Sequence, residues 1–374
     1  MLRNRILRAA VQEGMADEEG RPTAQLLEHY EELAAGGIGG LITGAVAVSA
    51  NGGLEGCRTL SLNQDSNIPW MQEMVMRVHQ MDTPIIAQLT HWGRHSRAMK
   101  GKRVDQLSEQ EIRHTIQDFI DAAVRADRCG FDGIELQAAH GCLLSEFLSR
   151  YANYRTDRWG GTASKRFRIL RLIMEGIREQ VPSIPIWVKI NGEEDRHSGM
   201  DCDSAIEYAE MLENAGADAV ELSRGLQEDV FSTVRGDIPY ELLCRNHPRL
   251  KRVPGLLQAM VKPMLMAWLR SPKPRRMYNA DTAEAIRREV PIAVIVTGGI
   301  HDLAEIRETI LRRHMDAVSL ARPLIRDSQL VTEYMNEQTE ISECSECNCC
   351  LAGIFGGTLD CCCRTAGKCS ATEG

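Results

Sequence analysis

Short apolar runs alternate with longer helix-patterned stretches along this chain. The runs fall at residues 5–10, 40–43, 84–89, 133–136, 185–190, 219–222, 292–296 and 317–320, and many of their residues are β-branched. Runs this short, without polar alternation, suit strands buried on both faces of a parallel sheet. The stretches between them carry helix start signals. Ser108 with Glu111, Asp281 with Glu284, and Asp302 with Glu305 each have capping-box spacing, and Gly216 closes the pattern that ends at Ala215. Eight strand-then-helix alternations predict an α/β protein of the closed (β/α)₈ TIM-barrel class, which fits better than an open doubly wound sheet. In such barrels the chemistry sits at the C-terminal ends of the strands.

Two segments break the rhythm. Residues 225–279 insert 55 residues after the sixth run, with a Met- and Leu-rich stretch over 255–269 between Pro254 and Pro272. The insertion as a whole is expected to roof a substrate pocket or, in its Met- and Leu-rich stretch, to lie as a helix on the barrel wall. Residues 342–374 form a cysteine-rich tail, so the chain divides into a barrel over 1–341 and a terminal appendage.

Composition narrows the class. A hydrophobic fraction of 43% and a charged fraction of 26% suit a globular protein, and no apolar run is long enough to span a bilayer. Arg3, Arg5 and Arg8 interrupt the N-terminal apolar residues, so no secretory signal is read there and a cytoplasmic location is expected. A net charge of −8 argues against nucleic acid as a partner. Of thirteen cysteines, eight lie between Cys344 and Cys369, an asymmetry that speaks against a disulfide framework.

The candidate chemistry lies where the runs end. Gln137, His140 and Cys142 follow the fourth run directly, at the edge where such a strand opens to solvent. Lys189 ends the fifth run, where a cation is costly unless it faces a functional opening. Gly298 and Gly299 close the seventh run before a helix, and Ala321 and Arg322 close the eighth. Barrels commonly bind phosphate between those two strands.

The segments GFDGIELQAAHGCLLSEFLSRYANYRTDRWGG, QLTHWGR, RNRILRAAVQEGMA and SLARPLI resemble the old yellow enzyme family of FMN-dependent oxidoreductases, in its dienoyl-CoA reductase and trimethylamine dehydrogenase branch. The resemblance implies an FMN site. Lys189 would be the cation at flavin N1, Gln88 the amide at the pyrimidine edge, and Gly298, Gly299, Ala321 and Arg322 the phosphate cradle. Ala9, Ala10 and Gly44 would approach the ring by backbone. It also implies a catalytic loop of His, then His or Asn, then Tyr, in which the first two hold an activating carbonyl and the Tyr protonates the α-carbon. Here those positions read Gln137, His140 and Cys142, so carbonyl polarisation is retained while the proton donor is either Cys142 or a water.

In the tail, the spacing of Cys344, Cys347, Cys349 and Cys350, followed by Cys361, Cys362 and Cys363, suits four thiolates around a metal centre. The shared CxxCN implies a [4Fe–4S] cluster. The expected ligands are Cys344, Cys347, Cys350 and Cys362, with Cys349, Cys361 and Cys363 as substitutes and a structural Zn²⁺ or free thiols as alternatives. The resulting expectation is an ene-reductase fed by NAD(P)H or by a protein donor, acting on a small molecule, with homo-oligomerisation left open. A flavin-dependent amine dehydrogenase and an electron-transfer subunit are the rivals.

Overall fold

The computed structural model describes residues 2–227, 233–247, 250–269, 275–354 and 359–363. Eight parallel strands close on themselves: β1 (Ile6–Arg8), β2 (Gly40–Ala47), β4 (Ile85–Thr90), β5 (Gly133–Ala138), β6 (Ile186–Glu193), β7 (Ala219–Arg224), β8 (Ala293–Thr297) and β9 (Ala317–Leu320). β1 completes the circle by pairing β2 through Leu7 and Gly40, and β9 through Leu7 and Ser319. A two-residue strand, β3 (Leu60–Ser61), extends β2 outside the barrel and was not anticipated, because two residues carry no period to read. The expected (β/α)₈ barrel is therefore present, each strand overlapping one of the apolar runs.

Helices cover the strands. The capping boxes at Ser108 and Asp302 form as read, opening the helices Glu109–Cys129 and Leu303–Arg307. The third does not form. The helix Ala280–Glu289 starts one residue before Asp281 and its N-cap is Asn279, whose side-chain amide donates to the Thr297 carbonyl at 2.7 Å. Asp281 and Glu284 instead face Arg313 at 2.8 and 3.0 Å, so tertiary ion pairing takes the place of local capping.

The insertion and the tail pack together. Tyr240–Asn246 forms a helix whose Asn246 amide donates to Ala352, in the tail helix Cys349–Gly353. Tyr240 donates from its hydroxyl to Gln258, in the helix Gly255–Leu269. That last helix turns Leu256, Met260 and Met264 outward, at 80%, 72% and 71% exposure, and none of its described side chains lines the central cavity. The tail is no loose appendage either, since Ile354 and Leu359 join the main hydrophobic core.

Candidate active site

A cavity opens at the C-terminal ends of the strands, lined among others by Ala9, Ala10, His140, Lys189, Ser223 and Arg322. Its depth is set by polar residues two apart on three successive strands: Glu135 and Gln137 on β5, Lys189 and Asn191 on β6, Glu221 and Ser223 on β7. Side chains two apart share one face of a strand, so each pair gives one lower and one upper polar position inside the barrel.

The lower positions form a charged cluster. The Lys189 ammonium lies 3.3 Å from Glu135 and 3.2 Å from Glu221, and both carboxylates are fully buried. Gln88 donates its amide to Glu135 at 2.6 Å, and Ser319 its hydroxyl to Glu221 at 2.5 Å. Burial works against the charge on Lys189, but the two carboxylates outweigh it and keep the pKa above the ordinary lysine value. Burial, then the neighbouring Glu221, pushes Glu135 well above the usual carboxylate range. Glu221 is held below that range because Lys189 and its hydrogen bonds outweigh burial. Lys189 is thus a paired cation that still reaches the cavity wall, with an ammonium proton left for a ligand.

The upper positions hold His140. Its backbone is left-handed (φ 61°), as is that of Gly141 (φ 69°), and the turn is pinned by His140 N–H to Asn191 Oδ1 at 3.2 Å and Gly141 N–H to Ser145 Oγ at 3.2 Å. A Cβ on Gly141 would lie 2.8 Å from the Gln227 amide nitrogen, so only glycine fits. Gln137 Nε2 donates to His140 Nδ1 at 3.2 Å, which leaves the ring proton on Nε2, facing Ser223 Oγ at 2.6 Å. Burial, then the positive charge of Lys189, pushes the His140 pKa down to about 3, so the ring is neutral. The sequence reading missed Ser223, Glu135 and Glu221, although the polar pairs inside three apolar strands were the available signal.

The expected residues do not all converge. Cys142 is fully buried against Ala45 and Trp92, away from the cavity, and burial raises its pKa far above that of a free thiol. Gln88 spends its amide on Glu135 and does not line the cavity. Gly44 is covered from the other side: a Cβ there would lie 1.8 Å from Glu13 Oε2, within a buried network of Arg8, Glu13 and Tyr30. The QLTHWGR motif supports the loop rather than the cavity. His91 accepts at its carbonyl from Leu143 N–H at 2.9 Å, and Arg94 pairs with Glu146 at 2.8 Å.

The phosphate-side residues do assemble. Gly298 (φ 108°), Gly299 (φ 69°), Ala321 and Arg322 all line the cavity, and Arg322 is oriented by Asn348 Oδ1 at 2.9 Å and the Arg235 carbonyl at 2.8 Å. Tyr278, from the insertion, packs over Gly298 so closely that a Cβ there would fall 2.5 Å from its ring. A cation at one end, an arginine with two glycines at the other, and the small Ala9 and Ala10 on one wall make a donor set that fits FMN.

The thiols of the tail assemble only in part. Cys347 and Cys363 approach to 3.6 Å, and hydrogen bonds from Cys349 and Cys363 hold the Cys347 pKa down at about 5. Among the described residues no three His, Cys, Asp or Glu side chains converge as a metal site, so the expected set of Cys344, Cys347, Cys350 and Cys362 has no support in this geometry. Cys363 takes the position beside Cys347 that was expected of Cys362. Cys350 instead helps to wall the cavity.

Fold and cavity together define a flavin-binding (β/α)₈-barrel oxidoreductase. The chain belongs to the NADH:flavin oxidoreductase / NADH oxidase family, whose sequence pattern matches residues 1–237. It is thereby placed among FMN-dependent, NAD(P)H-linked oxidoreductases. It is 30% identical to an NADPH dehydrogenase of Halalkalibacterium halodurans over 87% of this chain and 88% of that one. It is 28% identical to an NADH oxidase of Thermoanaerobacter brockii over 96% of this chain but only 52% of that one, so it spans about half of that relative. Among solved structures, a 2-naphthoyl-CoA reductase complex superposes with a TM-score of 0.79 at 21% identity, over 97% of this chain and 55% of that one. An old yellow enzyme homologue from Zymomonas mobilis superposes with a TM-score of 0.70 at 20% identity over 91% of each. At those identities the likeness shows the fold.

Proposed function

We propose that the protein reduces a C=C bond conjugated to a carbonyl, using FMN with NAD(P)H as electron donor. The observation that carries this reading is the relay from Gln137 through His140 to Ser223, of which His140 and Ser223 line one cavity with Lys189. When bound, FMN supplies hydride chemistry. Lys189 would hold its pyrimidine side, and Gly298, Gly299, Ala321 and Arg322 its phosphate, while Ala9 and Ala10 leave room for the ring. His140, neutral and with its tautomer set by Gln137, donates to Ser223, whose own hydroxyl proton is then free to donate to a substrate carbonyl. Cys142 is sealed off, so the α-carbon proton comes from water entering the cavity.

His140→Ala tests this reading. Enone kcat/KM should fall by up to roughly 10²–10³, the cost of an oxyanion donor, because Ser223 loses the partner that directs its proton to the carbonyl, with flavin content unchanged. Unchanged turnover would remove His140 from the mechanism. Reduction of the flavin by an amine without NAD(P)H would favour the dehydrogenase reading.

The tail cluster is a separate proposal: [4Fe–4S] on Cys344, Cys347, Cys350 and one of Cys361, Cys362 and Cys363. Iron and acid-labile sulfide measured on protein purified without oxygen, and lost in Cys347→Ala, would support it. Protein free of iron would reduce the tail to a wall of the cavity.

A further inference from the structure

Lys189 is not the lone cation that a flavin site of this kind calls for. Two fully buried carboxyls share its ammonium, and both ionised would leave a net negative charge with no solvent to screen it. The carboxyls of Glu135 and Glu221 are also within hydrogen-bonding reach of each other. Each keeps one buried oxygen, Oε2, without a hydrogen-bond donor, as expected where a proton is held on the pair.

We propose that Glu135, Lys189 and Glu221 form one proton-holding unit beneath the flavin site, with one carboxyl protonated at rest and the other taking up a second proton when the bound cofactor gains negative charge. This rests on the FMN reading given above. At rest the unit holds the Lys189 ammonium, a Glu221 carboxylate and a Glu135 carboxylic acid, and is neutral overall. Hydride transfer from NAD(P)H delivers two electrons and one proton to the cofactor. The second proton comes from solvent and forms an O–H bond on Glu221, leaving the unit with one positive charge opposite the new negative one. Ser319 offers the route, because it lines the cavity and already donates to Glu221 at 2.5 Å. The groups facing the unit from its surroundings are Gln88 of β4, Ser319 of β9 and His140 of the loop after β5. The first two carry no charge, and His140 is neutral and 2.6 Å from Ser223. Glu135 and Glu221 act through Lys189 and are positioning residues.

Infrared spectroscopy of the holoprotein and of protein stripped of flavin tests the resting state. In difference spectra against the variants, which cancel the band of other buried carboxyls such as Glu146, the wild type should show the carbonyl band of a buried carboxylic acid. Glu135→Gln and Glu221→Gln should each abolish it, because either leaves one carboxyl for one ammonium, which then ionises. A band that is absent from the wild type, or that survives in either variant, overturns the proposal. The reduced state is tested by the pH dependence of the midpoint potential near neutrality. Two protons per two electrons are expected in the wild type and one in the doubly substituted E135Q/E221Q, and equal counts overturn the proposal. Absence of flavin from the purified protein would defeat the FMN reading instead, while the infrared result on the stripped protein would still stand or fall by itself.

Discussion

His140 is held neutral between an amide and a hydroxyl, so replacing it removes a hydrogen-bond donor and not a charge. Activity lost in His140→Ala should therefore be lost evenly across neutral pH, with no shift of the pH profile. Cys142 makes the opposite case. It sits fully buried beside Ala45 and Trp92, and Cys142→Ala removes the buried sulfur and leaves a small cavity, at a cost of about 1 kcal/mol. Chemical denaturation should show that loss while enone turnover per folded molecule stays unchanged, and a turnover collapse would return Cys142 to the mechanism. His140, Gln137 and Lys189 were legible because they end apolar runs that open to solvent. Gln88 and Gly44 were legible only as members of a motif. Their orientation depends on Glu135 and Glu13, whose burial no local pattern shows.

At the level of elements, the strands were readable because burial on both faces removes polar alternation, and two of three capping boxes formed because their partners lie within one turn. The box at Asp281 failed because Arg313, far along the chain, competes for both acidic side chains. The Ser108 box is the stronger test of local capping. Its hydroxyl accepts from Glu111 N–H at 3.2 Å, and the Glu111 carboxylate accepts from Ser108 N–H at 2.7 Å. Ser108→Ala should cost about 1 kcal/mol, read as a lower denaturation midpoint with an unchanged slope. The insertion was only half legible: the 255–269 stretch is helical, and the residues that the insertion brings to the cavity include Thr233, Val234 and Tyr278, which lie outside that stretch. No period marks those three.

For the whole molecule, closure of the barrel follows from the strand count, whereas the tail's place against the core rests on Ile354 and Leu359, two apolar residues in a polar and cysteine-rich stretch. No helix among the described residues is long and apolar enough to cross a membrane. Burial of titratable groups sets how the fold responds to acid. His91 is pushed down to about 4 by burial, below the roughly 6.5 of an unfolded chain, so the unfolded state binds the extra proton between those values. Its contribution is present above about pH 6.5 and is lost as pH falls toward 4. Glu146, raised to about 7 by burial despite Arg94, works in the opposite sense, so the effect of His91 is best isolated as a difference. His91→Asn, which keeps an acceptor for Gly93 N–H, should lose less stability than the wild type between pH 6.5 and 4.5, roughly the interval over which the histidine titrates. Equal losses would mean that His91 is solvated. The FMN-dependent hydride chemistry itself is tested most directly by one absorbance series on protein purified without oxygen. Flavin bands that bleach on addition of NADH or NADPH and return on addition of an enone are expected. Protein without flavin, or flavin that neither nicotinamide bleaches, would contradict the account.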